Sequence, residues 1–425
     1  MLRRLVLLLL ISMVCVAADP KTHQPALSRN SRGYVTTPQE LARIAEKASL
    51  NQQPYNDAVD QLVRFAGSPK YWPFGSISGE QYCTKTLEPG FLGHGSPLIE
   101  AKAMAFHLTE EREYAAAVRE KLLELPSTFG YGGNNYSGSN QCILNLSWYL
   151  PGFIIAADLI EGYEGWSESD KRSFQRWLAK EAYPKVEWAS DVRSNNWGAA
   201  GSATAAMIAD YLVDYPGDLH SRTGDVSVAD AYRMARQRQL DRFDGNSYMD
   251  NYGCVSARGQ GIRPDGGIPF ELVRGTSGCD AGWIKDLDSS WIYLQTFMQG
   301  AVMHAELLLR RGDTSLYTNE TRTGAGSLLR AVHFLIENPA GKSVPWNEPN
   351  GKQTLELTYR YYRDRAMAEQ LRVGRKDRYI GGKSGQMLHF GTITHAFAVG
   401  EDPGYPPSVS PPGAPQEVPV AVKSR

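Results

Sequence analysis

Helical periodicity recurs from one end of this 425-residue chain to the other, and strand patterning is almost missing. Thr37-Pro38 reads as the cap of a helix running to about Phe65, with Leu41, Ile44, Ala45, Ala48, Ala58, Leu62 and Phe65 on its apolar stripe. The same spacing predicts helices over 97–109, 111–124, 142–161, 168–181, 196–213, 227–241, 291–311, 324–337 and 352–371. Weak strand signals are confined mostly to 386–399. Short turns rich in Gly, Pro and Asp join the helices, so neighbours in sequence must pack as pairs to bury their apolar faces. The expected fold is all-α, an incomplete (α/α) toroid of roughly six or seven helical hairpins with few short strands. No strict internal repeat is visible, which favours a closed toroid over an open solenoid.

The termini read differently. Residues 1–18 form an expected secretory signal: Arg3 and Arg4, the apolar run from Leu5 to Val16, then Val16-Ala17-Ala18 before the cut. That run is short for a membrane span, and no later segment is expected to reach the length. Cys15 sits where a lipoprotein cysteine would, but Ser12 stands where that motif wants leucine, so soluble export (secreted or periplasmic) is expected. No linker interrupts 34–400, so 19–402 is expected to be one domain. Residues 403–425, rich in proline and without helical period, are expected as a disordered tail.

A formal net charge of −1 gives no bulk attraction for nucleic acid or an anionic membrane, and neither is an expected partner. Affinity for an acidic polymer must come from local arginines and lysines. No CxxC or HxxxH spacing marks a metal site, so neither metal nor cofactor is expected, and the chain is expected to be a monomer. Cys83, Cys142, Cys254 and Cys279 remain after the signal and can pair in an exported protein. Cys254 and Cys279, flanking the Gly-rich segment 257–278, are the favoured couple, with connectivity open. The sequons at Asn135, Asn145 and Asn319 matter only in a eukaryotic secretory pathway.

Chemistry concentrates in two stretches. Arg193-Ser194-Asn195-Asn196-Trp197-Gly198 puts a paired amide before a small-residue helix. Glu271-Leu272-Val273-Arg274 precedes a Gly/Asp-rich loop, after which Tyr293 opens a helix. Amide, guanidinium and phenol suit removal of a proton next to a carboxylate. Asn196 and Arg274 can mask the carboxylate as enolate-like charge develops, and Tyr293 can carry the proton. A free phenol ionises only near about pH 10, so a phenolate base requires a cationic neighbour. Plainer roles stand beside these: an N-cap for Asn196, an ion pair with Glu271 or Asp280 for Arg274, ordinary core for Tyr293. His94, in a Gly-flanked loop, reads equally as a second base, a sugar contact or a satisfied loop histidine, and His304 as buried structure. Aromatics beside amides in the loops suit stacking on sugar rings, with Asn140, Gln141, Asn195, Trp197 and Arg263 as the expected substrate contacts.

Asn195-Asn196-Trp197 before Ala199-Ala200 resembles the Asn-Asn-His element of the alginate lyase superfamily of polysaccharide lyases. Ile268-Pro269-Phe270-Glu271-Leu272-Val273-Arg274-Gly275 resembles its leucine-proline-x-glutamate-x-x-arginine segment, and Tyr293 through Leu307 its tyrosine-opened helix. Trp148 to Leu159 resembles a central helix of the family, and the likeness extends loosely over 97–310. The resemblance implies an incomplete α/α toroid that cleaves 1,4-linked uronate polymers by β-elimination, with Asn196, Arg274 and Tyr293 in the catalytic roles. Two departures stand out: Trp197 replaces the histidine, and Gly278 to Ser290 lengthens the arginine-to-tyrosine spacing.

The missing histidine has a chemical reading. In β-D-mannuronate and β-D-glucuronate the C5 proton and the C4 leaving oxygen share one side of the ring, so one tyrosine can serve both. In α-L-guluronate they lie on opposite faces and need two groups. The expectation is therefore syn elimination on β-D-uronates, glucuronan ahead of polymannuronate. Other classes stay open: a glycoside hydrolase using a carboxylate pair from Asp250, Asp265, Glu271, Asp280 and Asp288, or a non-catalytic glycan binder.

Overall fold

The computed structural model describes residues 32–69, 95–128, 141–246, 261–272, 287–338, 349–372 and 386–397. Thr37 caps the first helix as the sequence predicts, its hydroxyl accepting from the Glu40 N–H at 3.1 Å. The helix expected to reach Phe65 is instead two, α1 (Pro38–Ser49) and α2 (Tyr55–Ala66). Asn51 turns into left-handed backbone between them, and Pro54 has no N–H to carry a helical ladder onward. The chain continues through α3 (Gly95–Thr109), α4 (Arg112–Thr128), α5 (Gln141–Leu159), α6 (Glu168–Trp177), α7 (Tyr183–Val192), α8 (Asn196–Tyr211) and α9 (Val228–Asp244). Then come α10 (Pro269–Leu272), α11 (Leu287–Arg310), α12 (Ser315–Thr318), α13 (Leu328–Glu337), α14 (Pro349–Tyr362), α15 (Arg365–Arg372) and α16 (Gly391–His395). A π-helical turn, Leu178–Ala182, joins α6 to α7, and the Ala179 carbonyl there accepts from the His220 N–H at 2.9 Å. The helix expected over 352–371 breaks at Arg363, whose φ of 57° ends α14.

These helices form the expected α/α toroid. α2, α3, α5, α8, α11 and α14 pack each against the next as an inner ring, and α16 closes the ring onto α1 and α2. α4, α9, α13 and α15 back them from outside. The closing segment, 386–397, carries the strand signals, yet among the described residues the β pairing is one isolated bridge, Leu219 to Val226. Side-chain amides take the place of a partner strand. Gln299 Oε1 accepts from the Gln386 and Met387 N–H groups, and Gln353 Oε1 from that of Thr392, each at 3.3 Å. Tyr55 completes the closure by donating its hydroxyl to the Ala396 carbonyl at 2.6 Å.

α5 corrects a second expectation. Cys142–Leu159 is long and apolar enough to cross a membrane, but 89% of it lies inside the protein, where it serves as core. Cys142 at its start is disulfide-bonded, to a cysteine outside the described residues; the favoured Cys254–Cys279 couple also lies outside them. Asn145 is buried, so that sequon presents no accessible acceptor, while the partly exposed Asn319 donates its amide to Asp244 Oδ1 and the Gly326 carbonyl at 2.8 and 3.0 Å.

Every residue of α8 is buried, which its run of Ala, Gly and Ser permits. α7 presses against Gly201, where an added Cβ would lie 2.7 Å from the Ser190 nitrogen. α11 presses from another side at Gly300, where a Cβ would lie 2.6 Å from the Ala200 nitrogen. At the far ends of the same two helices, Arg311 grips Asp210 bidentately, Nε to Oδ1 at 2.7 Å and Nη2 to Oδ2 at 2.6 Å. Contacts at 300 with 200 and at 311 with 210 mean that α8 and α11 run parallel and nearly in register.

Gly300→Val would force α11 off Ala199–Ala200 and is expected to cost about 3 kcal/mol or more. Gly162→Ala, with nothing within 4 Å of the new carbon, is expected to change stability by less than about 0.5 kcal/mol. Urea midpoints of the two variants check this; equal midpoints would refute the close packing.

His304 and His389 are wholly buried, and burial pushes both down to about 3, with the Arg242 and Arg236 charges adding to the effect at His304. Their folded values lie below the unfolded one near 6.5. The stability they contribute is therefore complete above that pH and is lost as pH falls toward 3. His304→Leu is expected to flatten the fall of unfolding free energy between pH 6 and 4 by about 1.4 kcal/mol per pH unit. Urea unfolding of variant and wild type across that range measures the difference, in which all other titrations cancel.

Candidate active site

The parallel register of α8 and α11 decides what meets at their N-terminal ends. Tyr293 lies about two turns, or 10 Å, before Gly300 on the same face of α11. That places it about one turn beyond the level of Asn196, at the mouth of α8. Trp291 and Leu294 beside it are core, Ile292 is exposed, and Tyr293 itself is half-buried. Asn196 and Tyr293 thus lie near the same end of two helices that pack against each other.

The turn into α8 is held from below by Arg242, a buried cation of α9. Its Nε donates to the Arg193 carbonyl at 3.0 Å, its Nη1 to Ser202 Oγ at 2.7 Å, and its Nη2 to the Ser190 carbonyl. Gly198 is obligatory there, because a Cβ would fall 1.7 Å from the Arg193 oxygen. The Arg193 guanidinium lies between two indoles, 5.1 Å from the Trp188 ring and 5.2 Å from that of Trp197. Trp197 is only 6% exposed and packs with Ile143, Leu144, Trp188 and Ala189, so its ring is chiefly a wall for Arg193.

Asn195 and Asn196 divide their labour. Asn195 is the N-cap: in extended backbone, its Oδ1 accepts from the Trp197 N–H at 3.1 Å. Its Nδ2, wholly buried, meets no acceptor among the described residues. Asn196, the first residue of the helix, gives both its backbone N–H and its side-chain amide to Glu271. Its Nδ2 lies 3.2 Å from Oε1 and 3.1 Å from Oε2, and its backbone N–H reaches Oε1 as well. Glu271 is 0% exposed and sits on the single turn α10. The sequence reading gave Glu271 to Arg274 or to a hydrolase pair, and did not see it as the partner of Asn196. The signal was present: it is the only charged residue in the run Ile268-Pro269-Phe270-Glu271-Leu272-Val273.

Arg263 stands apart from this cluster, its Nη2 on Asp265 Oδ2 at 2.6 Å on the surface. Arg274, His94 and Asn140 lie outside the described residues, as does the side chain of Gln141, the first residue of α5. His304 is buried structure, as expected. Among the described residues no group of three or more His, Cys, Asp or Glu could hold a metal ion.

No family model matches the chain, and no curated protein does. Solved structures do. An alginate lyase from Bacteroides ovatus superposes with a TM-score of 0.54 at 16% identity, over 86% of this chain and 100% of its own. Alginate lyase A1-III from Sphingomonas species A1 gives 0.53 at 11% identity, over 88% and 100%. A tyrosine-to-phenylalanine variant of A1-III complexed with a tetrasaccharide gives 0.54 at 12%, over 88% and 99%. At these identities the likeness is one of fold: the chain is built on the alginate-lyase helical toroid.

Asn195→Ala removes the cap on α8 and is expected to cost about 1 kcal/mol, whereas Asn195→Gly should cost only a few tenths. Thermal or urea unfolding of both variants tests the assignment; equal losses would mean that packing of the side chain, not its hydrogen bond, matters there.

Proposed function

We propose that the protein is an exported polysaccharide lyase, residues 19–402 forming its catalytic domain, that cleaves 1,4-linked β-D-uronate polymers by metal-independent syn β-elimination. The observation that supports this reading is that the helices carrying Asn196 and Tyr293 pack against each other within an alginate-lyase toroid, with both residues near the same end of the pair. The substrate carboxylate would lie against Asn196 and Arg274, which spread its charge as the C5 carbon gives up its proton. Tyr293, as phenolate, would take that proton. The C4–O bond breaks as the C4=C5 bond forms, and the phenol returns the proton to the leaving oxygen. The product ends are a 4,5-unsaturated uronate and a new reducing end, whose C1 hydroxyl carries the leaving oxygen. The disulfide at Cys142 supports export.

Specificity follows from Trp197. Indole has no titratable group near neutral pH, so the position that could carry a second base for α-L-guluronate carries none. Preference for β-D-uronates over α-L-guluronate is the consequence, and the changed residue in the subsite favours glucuronan slightly over polymannuronate. Hydrolysis by a carboxylate pair draws less support: Asp265 is held by Arg263 at the surface, and Glu271 is buried on Asn196.

A 4,5-unsaturated product absorbs in the ultraviolet, whereas hydrolysis yields only reducing ends. Incubation with glucuronan, polymannuronate, polyguluronate and pectate in the presence of chelator should give rising absorbance, fastest on a β-D-uronate. New reducing ends without absorbance would replace the lyase reading with a hydrolase, and fastest cleavage of polyguluronate would refute the syn mechanism. Tyr293→Phe should abolish turnover with the fold intact by circular dichroism; near-normal turnover would transfer the proton chemistry to another residue, His94 first.

A further inference from the structure

Glu271 is a carboxylate buried to 0% exposure at the one place where the proposed chemistry needs a rigid donor. We propose that Glu271 is a positioning residue that aims the Asn196 amide at the substrate carboxylate; this rests on the lyase reading given above.

The geometry supplies the argument. Viewed from Asn196 Nδ2, two carboxylate oxygens at 3.1 and 3.2 Å subtend only about 40°, so a single amide N–H serves both. The second N–H of the same nitrogen points about 120° away and finds no acceptor among the described residues. An asparagine side chain alone can rotate about two bonds and can exchange its nitrogen for its oxygen. A carboxylate behind it removes both freedoms, since only the nitrogen end donates. The backbone N–H of Asn196 also ends on Oε1, so one residue fixes both the start of α8 and the direction of its first side chain. The backbone that carries the carboxylate is held as well. It lies on α10, one turn anchored by the Glu271 N–H to the Ile268 carbonyl at 3.0 Å and by Gly267, whose N–H donates to Asp265 Oδ1 at 3.0 Å. A donor held still before the reaction needs no reorganisation when charge develops, which is where such donors gain their catalytic value.

A merely structural glutamate would affect folding and nothing more, so the test separates the two. Glu271→Met removes the acceptors. Glu271→Gln keeps an Oε1, the atom that receives both Asn196 donors. On a polyuronate that the wild type cleaves, Glu271→Met is expected to lose about 100-fold in kcat with KM within about threefold, and Glu271→Gln to recover to within about tenfold of wild type. In an Asn196→Ala background, Glu271→Met should cause almost no further loss, because it acts through the missing amide. If the Met variant does not fold, Glu271→Asp, which withdraws the oxygens by about 1.5 Å, should show the same kcat loss. An undiminished loss in the Asn196→Ala background, or a Gln variant as poor as Met, would overturn the proposal. Crystal structures of wild type and of Glu271→Met or Glu271→Asp keep the inference separate from the reaction. Should the wild type cleave no polyuronate, the lyase reading fails, while an Asn196 amide unmoved in the variant would overturn the positioning role and a turned amide would support it.

Discussion

The structure depends on how closely α11 can lie on α8. Backbone meets backbone where Gly300 crosses Ala199–Ala200, and side chain meets side chain where Arg311 clasps Asp210. One contact is steric and short-ranged; the other is a buried bidentate ion pair, costly to leave half-made. Either alone would fix a point of contact and leave the helices free to pivot. Together they fix direction and register, and everything at the N-terminal ends of α8 and α11 follows from that. Tyr293 comes to the mouth of α8 because it shares a face with Gly300. Asn196 stays there because Arg242 and Gly198 hold the turn beneath it.

Charge is handled unevenly around this axis. Arg242 is buried among carbonyl and hydroxyl oxygens of the α7–α8 turn, where it satisfies acceptors that a helix end leaves open. Glu271 does the complementary task at the start of α8, where orphan N–H groups and the positive end of the helix dipole favour an anion. Arg193 is kept between Trp188 and Trp197, whose ring faces replace part of the water it has lost. Each buried ion thus meets the kind of partner its sign requires, and the turn carrying Asn195 and Asn196 is rigid for that reason.

Much of this was legible in the sequence. The helical period located most helices and Thr37 stood where a cap belongs, whereas the cap expected of Asn196 falls to its neighbour Asn195. What failed did so for local reasons. Asn51 and Arg363 take left-handed backbone that hydrophobic periodicity does not register, so two predicted helices became four. The segment 386–397 carries strand signals, but Gly391–His395 is a helix and glutamine side chains take the Gln386, Met387 and Thr392 N–H groups. The link between Glu271 and Asn196 was not foreseen because the two lie seventy-five residues apart, and no pattern of spacing reveals so distant a partner for a buried carboxylate.

Trp197 stands where the resemblance leads one to expect a histidine. An imidazole at the second residue of α8 would offer a proton carrier beside Asn196. The indole offers bulk and a ring face, and the protein uses both, filling the space against Ile143 and Leu144 and setting its ring 5.2 Å from the Arg193 guanidinium. A cation so held cannot move a proton, but it adds fixed positive potential beside the helix N-terminus, where the positive dipole end already lies. On the proposed reading, a second base has been exchanged for stronger binding of the substrate's negative charge. On the same reading proton transfer falls to Tyr293, which α11 carries near the same end of the helix pair.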